Sequence, residues 1–198
     1  TLNVPLSVSG TLTMTSGIIN TTDTNMLTLG TVTAAGTLSG VPSDTNMIRG
    51  PFTRTIANAN TAFVLFPVGK SLYLPISLAP TTTSVSSITA QSFDTNSGTA
   101  SAAITNLVGN RRWSATLNSG TFTDIDVRLG DALIASTNIP VQAPTANGVY
   151  TSSFGSTATY VAGTPNTTES NTAVDFANFT GFLSFAEANV CSGTPTPG

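Results

Sequence analysis

The chain has 198 residues, of which only 8% are charged, and its formal net charge is −3 with six basic residues. Nucleic-acid binders need a basic stripe that displaces counterions from phosphates, so we expect no nucleic-acid partner. The mean hydropathy is +0.21, but no apolar run approaches the roughly 20 residues that span a bilayer, so we expect no membrane insertion.

Residues 1–50 alternate apolar and small polar side chains over short spans. In the stretch LSVSGTLTMTSG, one face holds Leu6, Val8, Leu12 and Met14, and serine or threonine fills most positions between them. A period of two residues with glycine at the breaks is typical of short β-strands. We therefore predict that residues 1–50 form a short β-solenoid-like segment, or a first sheet that leans on the rest of the chain.

The tripeptide Asp-Thr-Asn occurs three times, beginning at Asp23, Asp44 and Asp94. Aspartate and asparagine side chains bond nearby backbone groups and tolerate turn conformations, so this tripeptide is predicted to be a corner between strands. The first two copies lie in the longer echoes TTDTNMLTLG and PSDTNMIRG, and their spacing of 21 residues suits one coil of a solenoid. In that arrangement Met26 and Met47 begin the next strands at equivalent places.

From residue 51 the spacing changes, and the pattern of short strands between Gly, Pro and Asn turns predicts an antiparallel β-sandwich over residues 51–190. The predicted strands are PFTRTIA, AFVLFPV, SLYLPISLA, SVSSITAQSF, RRWSATLN, TFTDIDVRL, ALIAS, GVYTSSF and GFLSFAEA. No window keeps a 3.6-residue apolar stripe, so almost no helix is expected. The predicted fold class is therefore all-β, with a solenoid-like or first-sheet segment followed by a sandwich.

The short loop at residues 118–120, Asn-Ser-Gly, separates two of these strands and predicts a hairpin. Alternation gives each strand one apolar face, with the other face directed to water. The apolar faces are predicted to hold Trp113, Ala115 and Leu117 before the loop, and Ile125, Val127 and Leu129 after it.

Two polar stretches are predicted to lie outside the strands. Residues 164–172, TPNTTESNT, are expected to form a loop. Residues 191–198, CSGTPTPG, contain two prolines and two glycines and are predicted to be a linker to a possible following domain.

Three aspartates, Asp124, Asp126 and Asp131, are the candidate metal ligands, because Ca²⁺ takes six to eight hard oxygen ligands. Alternation places Asp124 and Asp126 about 7 Å apart on one strand face, so the alternative is a solvated face followed by a turn aspartate. The chain has no histidine, which removes the commonest general base and metal ligand. We therefore expect no enzyme activity and no cofactor, with calcium as the metal candidate.

Four segments of the chain resemble β-rich modules of large secreted surface proteins from Bacteroidota-type bacteria. The segments are SGTLTMTSGIINTTDTNMLTLG, IRGPFTRTI, FPVGKSLYLPISL and NRRWSATLNSGTFTDIDVRLGDALI. The resemblance covers nearly the whole chain in order, and its motifs are structural. It implies an extracellular module of a cell-surface filament or adhesin stalk, exported by the type IX route and assembled with copies of itself or neighbouring modules of a larger polypeptide.

The resemblance also implies two covalent modifications. Such bacteria attach glycans to Ser or Thr in short motifs that begin with Asp followed by Ser or Thr, which points to Thr24, Thr45 and Thr95. The tail resembles the entry to a following cysteine-containing domain, which implies an inter-domain disulfide at Cys191, the only cysteine.

A second function is consistent with the same fold class: a carbohydrate- or surface-binding β-sandwich module whose partner is a surface glycan. Such modules use exposed aromatic side chains, so the burial of Trp113, Tyr73, Tyr150 and Tyr160 discriminates between the two functions. Because Trp113 shares a face with Ala115 and Leu117, we expect it to lie in the core.

Overall fold

The computed structural model describes residues 1–189. Every regular element in this range is a β-strand, except for one short 3-10 turn at Phe176–Asn178. The prediction of an all-β chain with almost no helix is therefore confirmed. Cys191 and the predicted linker lie outside the described residues.

The N-terminal strands stack in parallel and in register, as the coils of a β-solenoid do. They are β1 (Leu6–Val8), β2 (Thr11–Met14), β3 (Ile19–Asn20), β4 (Leu27–Leu29), β5 (Thr37–Gly40), β6 (Ile48–Arg49), β7 (Phe52–Ile56) and β9 (Val68–Gly69), whereas β8 (Val64–Phe66), which lies between the last two in the chain, is not part of this stack. Their parallel pairs form three columns, β1-β4-β7, β2-β5 and β3-β6-β9. The solenoid-like segment thus comprises stacked coils that share a narrow interior.

Apolar side chains lie above one another inside these coils. Leu6 pairs with Leu27 and Leu27 with Phe52 in the first column, and Ile19 pairs with Ile48 in the third. Leu27, Phe52 and Ile48 are fully buried. Because successive side chains of a strand point to opposite sides, the alternation in the sequence sends every second residue inward.

The remaining strands build most of a sandwich of two larger sheets. They are β10 (Ile76–Thr82), β11 (Ser86–Phe93), β12 (Thr99–Ala100), β13 (Ile104–Leu107), β14 (Arg112–Ser119), β15 (Phe122–Gly130), β16 (Asn138–Ala143), β17 (Val149–Tyr150), β18 (Ala158–Val161), β19 (Thr167–Ser170), β20 (Val174–Asp175) and β21 (Phe182–Ala188). The first sheet has the order β1-β4-β7-β11-β14-β21-β13, with β16 also on β21. The second has the order β18-β19-β15-β10-β8, with β20 also on β15, whereas β12 and β17 pair with each other in a small separate sheet.

Strand β7 belongs to both regions, because it runs parallel to β4 of the solenoid and antiparallel to β11 of the sandwich. One sheet therefore continues across the predicted boundary between residues 50 and 51. The second sheet also reaches back, since β8 pairs with β10.

The sandwich core lies between the two sheets and contains the predicted apolar faces. Trp113, Ile125, Val127 and Leu129 are fully buried, and Ala115 is 5% exposed. The indole Nε1 of Trp113 donates a hydrogen bond of 2.9 Å to the carbonyl of Leu74. The prediction for these faces is confirmed, and Trp113 is a core residue.

The predicted hairpin at residues 118–120 is wrong. Strand β14 pairs with β11 and β21, whereas β15 pairs with β10, β19 and β20, so this loop carries the chain from one sheet to the other. Gly120 has a φ of 87°, and the next residue, Thr121, accepts from the backbone N–H of Thr83 at 3.0 Å. The loop therefore lies beside the β10–β11 connection, which crosses between the sheets at the same end.

Two other strand predictions are also wrong. Thr167–Ser170, predicted as loop, forms β19, in which Thr168 is fully buried and its hydroxyl donates to the carbonyl of Asn138 at 2.7 Å. The segment ALIAS, predicted as strand, is a turn in which Asp131 Oδ1 accepts from the backbone N–H of Leu133 at 2.8 Å. In both cases a polar side chain forms a hydrogen bond with a backbone group. The pattern of apolar residues in the sequence does not indicate such a bond.

Candidate functional site

The first two Asp-Thr-Asn segments form the same tight turn, as predicted. In each turn the residue before the aspartate and the asparagine itself exchange backbone hydrogen bonds: Thr22 and Asn25 at 3.3 and 3.1 Å, and Ser43 and Asn46 at 2.9 and 3.0 Å. Each central threonine is exposed at the tip of its turn. The two tips therefore present a hydroxyl to solvent in the same local geometry.

These two turns lie at different corners of the solenoid. The first precedes β4, whose Leu27 stacks on Leu6, and the second precedes β6, whose Ile48 stacks on Ile19. The expectation that the echo marks one coil, with Met26 and Met47 at equivalent places, is therefore wrong. Turn chemistry identifies a corner, but it does not identify which side of the coil comes next.

The third segment has a different role, since the side chains of its first and third residues, Asp94 and Asn96, join distant parts of the sandwich. Asp94 lies 3.4 Å from Arg111 Nη1. Asn96 Nδ2 donates to the carbonyl of Arg111 at 3.1 Å and to the hydroxyl of Ser184 at 3.2 Å. Thr95 between them is exposed.

The calcium candidates are not brought together. Asp124 accepts hydrogen bonds from the hydroxyls of Thr81 and Thr123, at 2.7 and 3.0 Å. Asp126 accepts from the hydroxyl of Ser170 at 2.8 Å. No group of three or more carboxylate, histidine or cysteine side chains that could hold a metal ion occurs within residues 1–189.

The side chain of Asp131 is 1% exposed and is ion-paired with Arg111, so its carboxylate stabilises the interior of the fold. Arg111 Nε lies 3.1 Å from Asp131 Oδ2 and therefore joins this aspartate to Asp94. The result is a line of three alternating charges, Asp131, Arg111 and Asp94, that ties the end of β15 to the β13–β14 loop and to the β11–β12 loop.

A cleft of about 260 Å³ lies between the second Asp-Thr-Asn turn and the loop that precedes β10. Tyr73 lines it together with Leu72 and Asp131. Asp44 Oδ1 accepts a hydrogen bond of 2.6 Å from the backbone N–H of Tyr73, and burial raises the pKa of the Tyr73 phenol above its ordinary value. The Asp44–Tyr73 hydrogen bond therefore ties the second Asp-Thr-Asn turn to the loop that precedes β10.

The aromatic side chains that would discriminate a glycan-binding surface are mostly interior. Trp113 and Tyr150 are fully buried and Tyr73 is 8% exposed, whereas Tyr160 is half-buried. Burial raises the pKa of the Tyr150 phenol, and its hydroxyl has no hydrogen-bond partner among the described residues.

A row of hydroxyl side chains crosses five adjacent strands of the first sheet and was not identified from the sequence. Its members are Ser7, Thr28, Thr53, Thr89 and Thr116, each directly opposite the next. The Thr53 and Thr89 hydroxyls lie 2.7 Å apart. The alternation of small hydroxyl residues with apolar ones was visible in each strand, but only the register aligns them.

Arg54 is a buried cation in the solenoid, 8% exposed. Its guanidinium donates to the carbonyls of Leu65 and Gly36, at 2.6 and 3.3 Å. Burial lowers its pKa to about 10. Arg54 pairs with Leu29, which in turn pairs with Val8, so its side chain follows these two apolar residues along the same row of the stacked strands.

No protein-family description, curated protein or solved structure matches this chain. Within residues 1–189, no helix is long and apolar enough to cross a membrane.

Proposed function

We propose that the chain is a structural module of an extracellular cell-surface filament or adhesin stalk, acting by β-sheet packing and assembly. The observation that carries the proposal is the shared strand β7 (Phe52–Ile56), which places solenoid and sandwich in one continuous sheet. Backbone hydrogen bonds hold such a sheet together whatever its side chains are. A module built in this way suits a spacer, because load on one region passes to the other through the ladder.

The use of the few charged side chains supports the same function. Arg111 joins Asp131 and Asp94, and Arg128 pairs with Glu169 across neighbouring strands. These charges tie together segments of the fold that are distant in sequence. Elsewhere small hydroxyl residues cover the strand faces, which gives a surface of low charge.

Surface localisation is tested by electron microscopy of the native material with a labelled antibody against this chain. We expect label along surface filaments or stalks, and loss of that label in cells that lack the type IX export machinery. Label confined to the cell interior would contradict the proposal.

The exposed tips Thr24, Thr45 and Thr95 are proposed as the glycan attachment sites of this module. Intact mass of the chain from its native source should exceed the sequence mass, and the excess should fall when these threonines are replaced by alanine. Thr33→Ala is the matched control, because Thr33 is also an exposed threonine but follows Val32. An unmodified mass would end this part of the proposal.

The glycan-binding alternative is disfavoured because Trp113, Tyr73 and Tyr150 are not available as a stacking platform. Tyr160 is the aromatic residue to test. Tight binding on a glycan array, lost in Tyr160→Ala, would reverse the preference.

A further inference from the structure

The turn that joins β16 to β17 contains the only Asn-Gly pair of the chain, Asn147 and Gly148. The side chain of Asn147 is exposed on this turn. A side-chain amide that precedes a glycine is unusually reactive, because the glycine nitrogen can approach the amide carbon without hindrance from a Cβ. What this pair does therefore depends on how the fold holds its two residues.

Two hydrogen bonds hold the pair in the turn. The hydroxyl of Ser97 donates to Asn147 Oδ1 at 2.6 Å, and the backbone N–H of Gly148 donates to the carbonyl of Thr145 at 3.1 Å. The Ser97 bond stabilises the negative charge that develops on Oδ1 when a nucleophile adds to Asn147 Cγ. The Thr145 bond must open before the Gly148 nitrogen can attack, and exposed loops open locally at little cost in free energy.

The absence of a Cβ at residue 148 matters in this particular turn. A Cβ built on Gly148 would lie 3.0 Å from Thr145 Oγ1 and 3.3 Å from Pro144 Cδ. The φ of Gly148 is not positive, so alanine at this position crowds the turn without straining its backbone. Alanine is therefore a suitable substitution for testing the role of the glycine.

We propose that Asn147 is a site of spontaneous deamidation, through attack of the Gly148 backbone nitrogen on Asn147 Cγ. The new N–Cγ bond closes a succinimide ring, the Cγ–Nδ2 bond breaks, and the side-chain nitrogen leaves as ammonia with the proton that the Gly148 nitrogen gives up. Water then opens the ring at either carbonyl. One product is aspartate, and the other is isoaspartate, in which the main chain runs through Cγ and is longer by one methylene. This inference does not depend on the function proposed above.

Isoaspartate at residue 147 displaces strand β17, which begins two residues later. The carbonyl of Gly148 accepts from the N–H of Thr99 at 3.1 Å, and the carbonyl of Tyr150 accepts from the N–H of Ser101 at 3.0 Å. Tyr150 is also fully buried. A longer main chain before β17 therefore disrupts its pairing with β12, whereas the aspartate product leaves the length of the main chain unchanged.

The test is incubation of the full chain in mildly alkaline buffer, where the attacking nitrogen loses its proton more readily, followed by peptide mapping with mass spectrometry. We expect the peptide that contains Asn147 to convert into two forms, aspartate and isoaspartate, with release of ammonia. Asn58 is the internal control, because it is also exposed on a turn but is followed by Ala59. No conversion at Asn147, or conversion at Asn58 at the same rate, would overturn the proposal.

Two substitutions test the roles of the neighbouring residues. Gly148→Ala should slow the conversion about 10-fold or more, because a Cβ hinders the approach of the nitrogen. Ser97→Ala should slow it by a smaller factor in the folded chain and leave the rate in denaturant unchanged, since the Ser97 bond exists only in the fold. Conversion of Gly148→Ala at the original rate would contradict attack by this nitrogen.

Hydrogen exchange separates the effects of the two products. The Ser101 amide should remain protected in freshly prepared Asn147→Asp and should exchange fast in the isoaspartate form isolated after incubation. Equal protection in the two forms would contradict the displacement of β17.

Discussion

The solenoid and the sandwich are built from the same alternating pattern, yet they stabilise the chain in different ways. In the solenoid each inward side chain contacts the rungs above and below it, as in the column Leu6, Leu27 and Phe52. In the sandwich a central residue such as Trp113 belongs to a core cluster that draws side chains from both sheets. The contrast shows that period-two alternation specifies which side chains are buried, whereas the connections decide whether a strand pairs with its neighbours in parallel or antiparallel.

The largest expected effect is loss of the sandwich core at Trp113. Trp113→Ala should lower the free energy of unfolding by about 3–5 kcal/mol, because it removes a fully buried indole and leaves a cavity. Chemical denaturation followed by far-UV circular dichroism measures the loss. If β7 couples the regions, hydrogen exchange should accelerate in β4 as well as β11; acceleration confined to the sandwich would show that they unfold separately.

The buried ion pair tests the tie between loops of the sandwich. Asp131→Ala should cost about 3 kcal/mol, because Arg111 loses its buried partner. Asp94→Ala is the control, since its side chain is 29% exposed and partly exposed pairs contribute about 1 kcal/mol or less. Equal losses in the two variants would contradict this assignment.

Within the solenoid, Leu27 and Leu6 lie next to each other in one column, and alanine substitutions at the two positions compare an inner coil with the first coil. Leu27→Ala should lower the free energy of unfolding by about 3 kcal/mol, and Leu6→Ala by about 1 kcal/mol, because Leu6 is already 45% exposed. Chemical denaturation of both variants measures the two losses. A Leu6 effect as large as that of Leu27 would mean that the first coil is covered.

Raising the pH into the alkaline range gives the smallest effect. It is expected to change the stability in one direction through Tyr73 and Tyr150 and in the opposite direction through Arg54. Burial raises the pKa of Tyr73 and Tyr150, so the stability that their neutral forms provide is present below pH 10.0 and is lost as the pH rises. Burial lowers the pKa of Arg54 below its ordinary value, to about 10, so the cost of burying its charge is relieved as the pH rises above about 10. We expect the denaturant concentration at the unfolding midpoint to decrease as the pH is raised above 10.0, and to decrease less steeply in Tyr73→Phe. The same dependence on pH in that variant and in the unmodified chain would refute the contribution of Tyr73.

The sequence allowed the strand faces to be predicted, because alternation is a local property. Trp113, Ile125 and Val127 lie in the core as expected. The partner of each strand could not be predicted, since a glycine with positive φ such as Gly120 serves a hairpin and a crossing between sheets equally well. Thr168 was missed because a buried hydroxyl resembles a loop residue until its acceptor, the carbonyl of Asn138, is known.

For the candidate site, the sequence allowed the turn chemistry to be predicted and not the placement. Thr24 and Thr45 lie on tight turns, as Asp and Asn favour, but the corners they occupy depend on how many residues each coil uses. Pairs in the third column are 29 residues apart between Ile19 and Ile48, and 20 apart between Ile48 and Val68. Asp124, Asp126 and Asp131 were grouped by proximity in the chain, whereas each carboxylate binds a different partner in the fold.

The position of Trp113 also determines what optical spectroscopy can detect in this protein. It is the only tryptophan, and no tyrosine precedes Tyr73, so the solenoid strands contain no strong intrinsic fluorophore. Indole emission therefore reports the sandwich core, where Nε1 is bonded to Leu74, and is silent on the stacked coils. A melting curve recorded by fluorescence alone would therefore follow the stacked coils only as far as they unfold together with the sandwich.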